Sequence, residues 1–291
     1  MLVPDRTAFD KGFTKVFHVC AYGATFYSDL VSKYGADYVF RAASATAEDV
    51  AFRKAVSQCL TGRNDQIKVY PGTYSFAAVV TVDKSCVIES ATGNAGDVVI
   101  DLDTAKVAGF SVTAAGVIIR NMTITNATTG ATIAIASTGD ATVVDNLTIV
   151  CAVAETGAAI DLDGDRSVVK NCNIGNVIAG IQMDGSYCVV DGNMVYSTST
   201  AGVGCELTAS TTGKSTACIV KNNIFNMRGG TGDVGLKVVA AATHCVADNN
   251  AFALGLVKDM IIPAITDCDS FRSVLSNTTA AGQVGAVVST S

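Results

Sequence analysis

A five-residue pattern that returns along most of the chain constrains its fold more than any other feature. Its well-formed copies are Val117-Ile118-Ile119-Arg120-Asn121, Thr142-Val143-Val144-Asp145-Asn146, Ser167-Val168-Val169-Lys170-Asn171, Cys188-Val189-Val190-Asp191-Gly192, Cys218-Ile219-Val220-Lys221-Asn222 and Cys245-Val246-Ala247-Asp248-Asn249. The last position, the marker, recurs at spacings of 25, 25, 21, 30 and 27, and a weaker copy, Cys86-Val87-Ile88-Glu89-Ser90, precedes the first. A second alternating segment runs in step: Phe110-Ser111-Val112, Ile133-Ala134-Ile135, Ile160-Asp161-Leu162, Ile181-Gln182-Met183, Cys205-Glu206-Leu207 and Leu236-Lys237-Val238. Units of this length with at least two short strands and almost no helix signal cannot bury their own apolar face, so they must stack on their neighbours. Propeller blades need about 40 or more residues, and the Leu-x-x-Leu-x-Leu spacing of leucine-rich repeats is absent. The expected fold is all-β, a right-handed single-stranded parallel β-helix.

Stacking turns each repeat position into a column, with equivalent residues of successive rungs about 4.8 Å apart. Alternation assigns Ile119, Val144, Val169, Val190, Val220 and Ala247 to the interior, together with Val117, Thr142, Ser167, Cys188, Cys218 and Cys245. The opposite face then carries Arg120, Asp145, Lys170, Asp191, Lys221 and Asp248, which alternate strictly in sign and pin the register. It also carries Ile118, Val143, Val168, Val189, Ile219 and Val246, all aliphatic and β-branched. An outward apolar stripe calls for a cover. Either a loop or a chain terminus lies over it, or the parity is shifted by one, or it is the interface of a homo-oligomer, which is the expectation adopted here. The marker asparagines are explained by a tight bend, where a stacked amide bonds its own backbone and the next rung.

The chain of 291 residues is 49% apolar and 16% charged, with 3 Pro and a net charge of -6. Disorder is excluded by that apolar fraction. No basic cluster is present to release counterions, so no nucleic-acid partner is expected, and no run is long enough for a membrane span. The start, MLVPDRTAFDKG, lacks the pattern of a secretory signal, so the chain is expected to be made in a cytoplasm. The ten cysteines contain no Cys-x-x-Cys pair, which counts against zinc and redox motifs and favours small buried hydrophobes. No cofactor and no metal are expected.

Four segments are anticipated: an N-terminal arm over 1–45, a capping helix within 46–64, the solenoid over 65–255, and a C-terminal cap or tail over 256–291. Thr46-Ala47-Glu48-Asp49 has capping-box form, and Phe52, Ala55, Val56 and Cys59 follow at helical spacing. Such a helix would close the open end of a solenoid. Ile67 to Tyr74 then reads as a strand ending in a Pro-Gly turn of type II form.

This front end resembles the start of the pectate-lyase-like β-helix superfamily, which includes tailspike and related proteins of bacterial viruses. Val31-Ser32-Lys33-Tyr34-Gly35-Ala36 matches its Val-x-x-Phe/Tyr-Gly-Ala segment, Ala51-Phe52-Arg53-Lys54-Ala55-Val56 its helix, and Tyr70-Pro71-Gly72-Thr73-Tyr74 its Pro-x-Gly-x-Tyr strand end. The family's Asp-Gly-x-x-Asp turn is replaced by Asp37-Tyr38-Val39-Phe40. The resemblance implies a search for outward carboxylates that cleave glycans. The best cluster is a column of Asp161, Gln182, Glu206 and Lys237 beside a column of Asp163, Asp184 and Thr208. If the chain is an enzyme, Asp163, Asp184 and Glu206 are its expected catalytic residues, yet an acidic solvated strand looks the same. His18 and His244 lack motif context, and no lyase or polygalacturonase motif is present. The expected function is therefore structural: a short spike, fibre or capsid-decoration protein of a tailed bacterial virus. It would be a homotrimer located in the virion, joined through its N-terminal arm to capsid or tail proteins. A glycan-cleaving enzyme and a non-catalytic glycan-binding module, both acting on host surface polysaccharide, are the alternatives.

Overall fold

Two left-handed residues per coil bend the backbone at two corners. The marker asparagines Asn121, Asn146, Asn171, Asn222 and Asn249 lie at φ between 51° and 60°, and Gly192 takes the sixth place at 67°. Asn and Gly are the residues that adopt this region at least cost. The corner ahead of each marker strand uses Gly116, Ala141, Arg166, Tyr187, Ala217 and His244, again left-handed. The computed structural model describes residues 14–102, 108–126, 133–151, 157–175, 177–197, 202–208, 215–227, 233–238, 243–252, 258–261 and 270–274.

Between these bends the described residues coil into a parallel β-helix of a 16-stranded and an 8-stranded sheet. The segments containing Phe110–Val112, Ala158–Leu162, Ala179–Met183 and Val203–Leu207 stack in the smaller sheet. The marker strands stack in the larger one in the expected register, Ile118 beside Val143, then Val168, Val189, Ile219 and Val246. After the marker the chain either runs on, as in Ile118–Asn126 and Val143–Cys151, or breaks into a second short strand, as in Val168–Lys170 and Asn173–Gly175. No helix among the described residues is long and apolar enough to cross a membrane.

Large residues face small ones across the core. The inward column Ile124, Ile149, Ile174, Val195, Phe225 and Phe252 grows toward the C-terminus, all of it buried. Across the core the opposing residues shrink to Gly180 and Gly204, where an added Cβ would meet Val195 and Phe225 side chains at 2.5 Å. The nine described cysteines are all buried and free of disulfides, and Cys188, Cys218 and Cys245 occupy the interior column as expected.

The front end differs from its expectation. Strand β1 (Val16–Cys20) pairs in parallel with β2 (Val39–Arg41) and β3 (Asp65–Val69), so the described residues from 14 onward form the first coils and not an arm. Residues 1–13 lie outside the described residues. Helix α1 (Tyr27–Tyr34) contains most of the 31–36 copy of the Val-x-x-Tyr-Gly-Ala pattern. A second copy, Val19-Cys20-Ala21-Tyr22-Gly23-Ala24, closes β1 and is the one that follows a strand. At the other end, strands Lys258–Ile261 and Ser270–Val274 extend both sheets past the expected boundary at 255, while residues 275–291 lie outside the described residues.

Helix α2 (Asp49–Gln58) buries Ala51, Phe52, Ala55 and Val56 against the first coils. Phe52 meets Tyr74, Phe76 and Phe110 edge-on, with ring centroids 5.1 to 6.0 Å apart. The expected capping box does not form, because the acidic side chains are recruited elsewhere. Buried Glu48 accepts the Tyr22 and Ser75 amides and Asp49 accepts the Ala77 amide, tying α2 to the coil beneath it. Gly72 sits at φ 155° rather than the roughly 80° of a type II turn, and Ala21 crowds it.

Candidate functional site

The corner that follows the smaller sheet gathers most of the acidic groups singled out from the sequence. Its path is held by glycines: a Cβ on Gly139, Gly164 or Gly185 would lie 2.1 to 2.2 Å from the carbonyl oxygen of the coil before it. Two of the corner's aspartates are accounted for by this packing. Asp140 Oδ1 accepts the Asp165 amide at 3.0 Å, and Asp165 Oδ1 accepts the Ser186 amide at 2.8 Å.

Asp161, Asp163 and Asp184 stand beside them. Register places Asp163 and Asp184 in adjacent coils, since Leu162 pairs with Met183, a separation of about 4.8 Å between backbones. Asp184 is 3% exposed, so it is not the open surface carboxylate expected; Asp163 is half-buried. Asp161 shares a face with Asp163, and one of its oxygens is buried without a hydrogen-bond partner. Burial first, then the charges of Asp163 and Asp184, push its carboxyl up to about 6. A carboxyl that holds its proton up to about pH 6 beside other carboxylates is the arrangement from which acid–base pairs are built.

Glu206 is not brought to this group. It lies in the Asp161 column with Gln182 between them, about 10 Å away by coil spacing. Its carboxylate is taken by Lys237 Nζ at 2.6 Å. Tyr187, 63% exposed and left-handed, stands at the same corner as Asp184. Among the described residues no group of three or more His, Cys, Asp or Glu side chains is arranged to hold a metal ion. His244 is an exposed corner residue, while His18 is buried under Tyr34 at the other end of the molecule.

The second candidate surface is the outer face of the marker strands. Ile118, Val143, Val168, Val189 and Val246 are half-buried and Ile219 is 37% exposed, so the stripe points outward. Val87 extends it by one coil. The charge ladder beside it is longer than the sequence pattern showed: Lys68, Glu89, Arg120, Asp145, Lys170, Asp191, Lys221 and Asp248 occupy successive coils with alternating sign. Glu89 is clamped by Lys68 at 2.6 Å and Arg120 at 2.7 Å, which holds its carboxyl below the usual range despite burial.

Comparison with known proteins bears on the fold. The Escherichia coli protein ybhC is similar at 15% identity and a TM-score of 0.60, covering 90% of this chain and 77% of that one. A pectin methylesterase from Aspergillus niger is similar at 13% and 0.55, covering 92% and 88%. A pectate lyase is similar at 12% and 0.54, covering 98% and 83%. No curated protein matches the chain in sequence. The model of the right-handed beta helix region matches residues 65–252. A stacked register, two left-handed corners per coil and this match agree, and the chain belongs to the right-handed β-helix family.

Proposed function

We propose that the chain is a structural protein of a virus particle, a short β-helical spike, fibre or capsid-decoration protein of a tailed bacterial virus. It assembles as a homotrimer and is joined to capsid or tail proteins through its N-terminal end. The observation that carries this reading is the outward aliphatic stripe from Val87 to Val246, continuous over seven coils. Solvent-facing sheet positions are ordinarily polar, and a continuous apolar column along a rod is an interaction surface. A stripe parallel to the rod axis suits three rods around a common threefold, each presenting the same column to its neighbours. The neighbouring charge ladder is internally neutralised, so it does not oppose the approach of an identical copy.

Sedimentation at micromolar concentration tests this, with a trimer expected for the natural chain. Introducing Val168→Glu and Val189→Glu together places charges mid-stripe and should yield a monomer with an unchanged far-ultraviolet spectrum. A natural chain that sediments as a monomer overturns the assembly; a gene far from any capsid, portal or tail gene overturns the virion role.

A second reading rests on Asp161. A glycan-cleaving enzyme acting on host surface polysaccharide would use its protonated carboxyl as acid with Asp163 or Asp184 as the partner carboxylate. In Asp161→Asn, depolymerisation should vanish, and a natural chain that binds polysaccharide without products would leave a binding module. The same variant has a stability signature. The folded Asp161 carboxyl holds its proton up to about pH 6, whereas unfolded it releases it near 3.9. Stability from this group is thus fully present below about pH 4 and is lost as pH rises through 6. Asp161→Asn should match the natural chain at pH 4 and exceed it at pH 8 by about 1–2 kcal/mol, allowing for solvent screening. Thermal melts at the two pH values decide it, and a difference that does not grow with pH removes the acid from this reading.

A further inference from the structure

Helix α1 is held to the first coils far more lightly than α2. It buries one residue, Leu30, which packs with Cys20 and Val39, whereas α2 buries five. Rings supply further contacts: Tyr34 stacks on His18 of β1 with centroids 3.9 Å apart, and the Tyr27 ring takes the Arg41 guanidinium at 4.1 Å. The segment that carries α1 runs between two glycines in the left-handed region, Gly23 at φ 80° and Gly35 at φ 90°. Beyond them the chain is fixed, since the Tyr22 amide donates to buried Glu48 and Val39 pairs with His18 in the sheet. A segment with few buried apolar contacts and a hinge at each end belongs to the low-stability part of a fold, which opens first.

His18 is the part of this contact whose charge changes in mild acid. It is 4% exposed, and its Nδ1 is buried with no hydrogen-bond partner. A neutral imidazole can leave that nitrogen as a bare acceptor, but an imidazolium carries a proton on both nitrogens and would bury an N–H with nothing to accept it. The surrounding groups offer no relief. Helix α1 brings Tyr34 and Lys33, whose Nζ lies 4.9 Å from the Tyr34 ring. Strand β3 brings Lys68, in register with His18, and Tyr70 follows it with its ring 5.8 Å away. Strand β2 brings Arg41 beside Cys20, and Lys15 lies over the Tyr38 ring at 5.6 Å. Glu89, one coil on, is occupied by Lys68 at 2.6 Å and Arg120 at 2.7 Å. The face of the Tyr34 ring attracts a cation, yet burial first, then Lys33 and Lys68, hold the imidazole below its usual range. His18 also borders a cavity whose rim residues Val16 and Tyr34 are exposed, which gives solvent protons a path to the ring.

We propose that α1 with its two glycine hinges is an acid-released flap, docked on the first coils while His18 is neutral and lifted when His18 takes up a proton. Lifting gives the imidazolium water as its acceptor and lays open the face of β1 that holds His18 and Cys20. In the lifted flap His18 titrates near 6.5, and in the docked one lower. Docking is therefore at full strength above about pH 6.5 and weakens as pH falls, the lifted population rising by up to about tenfold per pH unit until the docked form itself takes the proton. Neither the Asp161 corner nor the aliphatic stripe takes part, so the flap stands whether or not the chain trimerises or cleaves glycan.

Hydrogen exchange of the full chain from about pH 7.5 down to about pH 5, corrected for the effect of pH on the exchange chemistry itself, tests it through the peptides 23–35 and 49–58. Over that range the 23–35 peptide should lose protection by about tenfold or more, while the α2 peptide keeps its own. His18→Phe leaves a ring for Tyr34 to stack on and cannot be charged, so its 23–35 protection should not change with pH. His18→Gln, equally unable to take a proton, gives the same comparison if the phenylalanine disturbs the fold. A 23–35 peptide in the natural chain that is indifferent to pH overturns the flap. The natural slope retained in the variants overturns His18 as the trigger. Loss of protection in α2 in step with α1 is acid unfolding of the whole end, and it overturns a hinged flap as well.

Discussion

Gly164→Ala is expected to lower stability by about 4 kcal/mol or more, at the far end of what single substitutions do. The new Cβ would lie 2.1 Å from the carbonyl oxygen of Gly139, 2.5 Å from its carbon and 2.9 Å from the Asp140 nitrogen. All three atoms are backbone of the coil before it, so no side chain can swing aside. Relief requires the two coils to separate at the corner, where they are joined by Asp163 N to Ser137 O at 2.7 Å and Ala141 N to Asp165 O at 2.7 Å. Gly185 stands in the same relation to Gly164, so a displaced corner is passed to the next coil. For a domain of this size the loss corresponds to a melting point lower by roughly 10 °C, or to failure of soluble expression. Gly96→Ala is the control: its nearest neighbour would be the Asn94 side chain at 3.7 Å, and its melt should stay within about 2 °C. A Gly164→Ala melt equally unchanged would sink the stacking of these corners.

The same corner shows where sequence reading succeeds and where it stops. Column assignments for the marker strands followed from period and alternation, because every coil repeats the same local choice and Ile118 through Val246 lie side by side as that choice requires. The first coil has no such copy. Val16–Cys20 meets Asp65–Val69 across some 50 residues, and its neighbour Val39–Arg41 is three residues long, too short to show a period. Nothing in the residue pattern marks Glu48, Asp49 or Asp65 as interior, yet each is buried and accepts a backbone amide from a distant segment. Arg63 and those amides hold the Asp65 carboxyl below its usual range against the pull of burial. The state of Asp161 likewise depends on burial and on two neighbours, which residue spacing does not report. The outward placement of Asp163 and Asp184 was half legible, since alternation gives a face but not the depth at which a corner sits.

The position just after the marker holds a feature that the marker itself concealed. Met122 and Leu147 fill it in the first two full coils and Cys172 in the third, whereas Asn193, Asn223 and Asn250 fill it afterwards. All three asparagines are buried. Met122 and Leu147 lie within strands that run unbroken past the bend, so backbone pairs with backbone there. Where the strands break, at Cys172, Asn193 and Asn223, the backbone N–H donates to the side-chain oxygen of the asparagine in the next coil. Asn223 Oδ1 accepts the Asn193 amide at 2.9 Å and its Nδ2 at 3.0 Å, while Asn223 Nδ2 donates to Val190 O at 3.0 Å and to Asn250 Oδ1 at 2.9 Å.

Asn223→Ala should therefore be destabilising by about 3–5 kcal/mol: a buried Asn193 N–H loses its partner, the Val190 carbonyl loses another, and a small void remains. Asn223→Asp should be worse at pH 8, since a carboxylate cannot donate to Val190 or Asn250 and its charge is desolvated. The comparison that isolates the buried ladder is Asn222→Ala, one residue earlier. Asn222 is exposed at φ 56° and bonds only Asp191 and Asn249 side chains through its amide. Its loss should amount to about 1–2 kcal/mol, the penalty of a left-handed alanine. Denaturant melts of the three variants give the order directly. If Asn222→Ala is as damaging as Asn223→Ala, the bend and not the inner amide ladder joins the C-terminal coils.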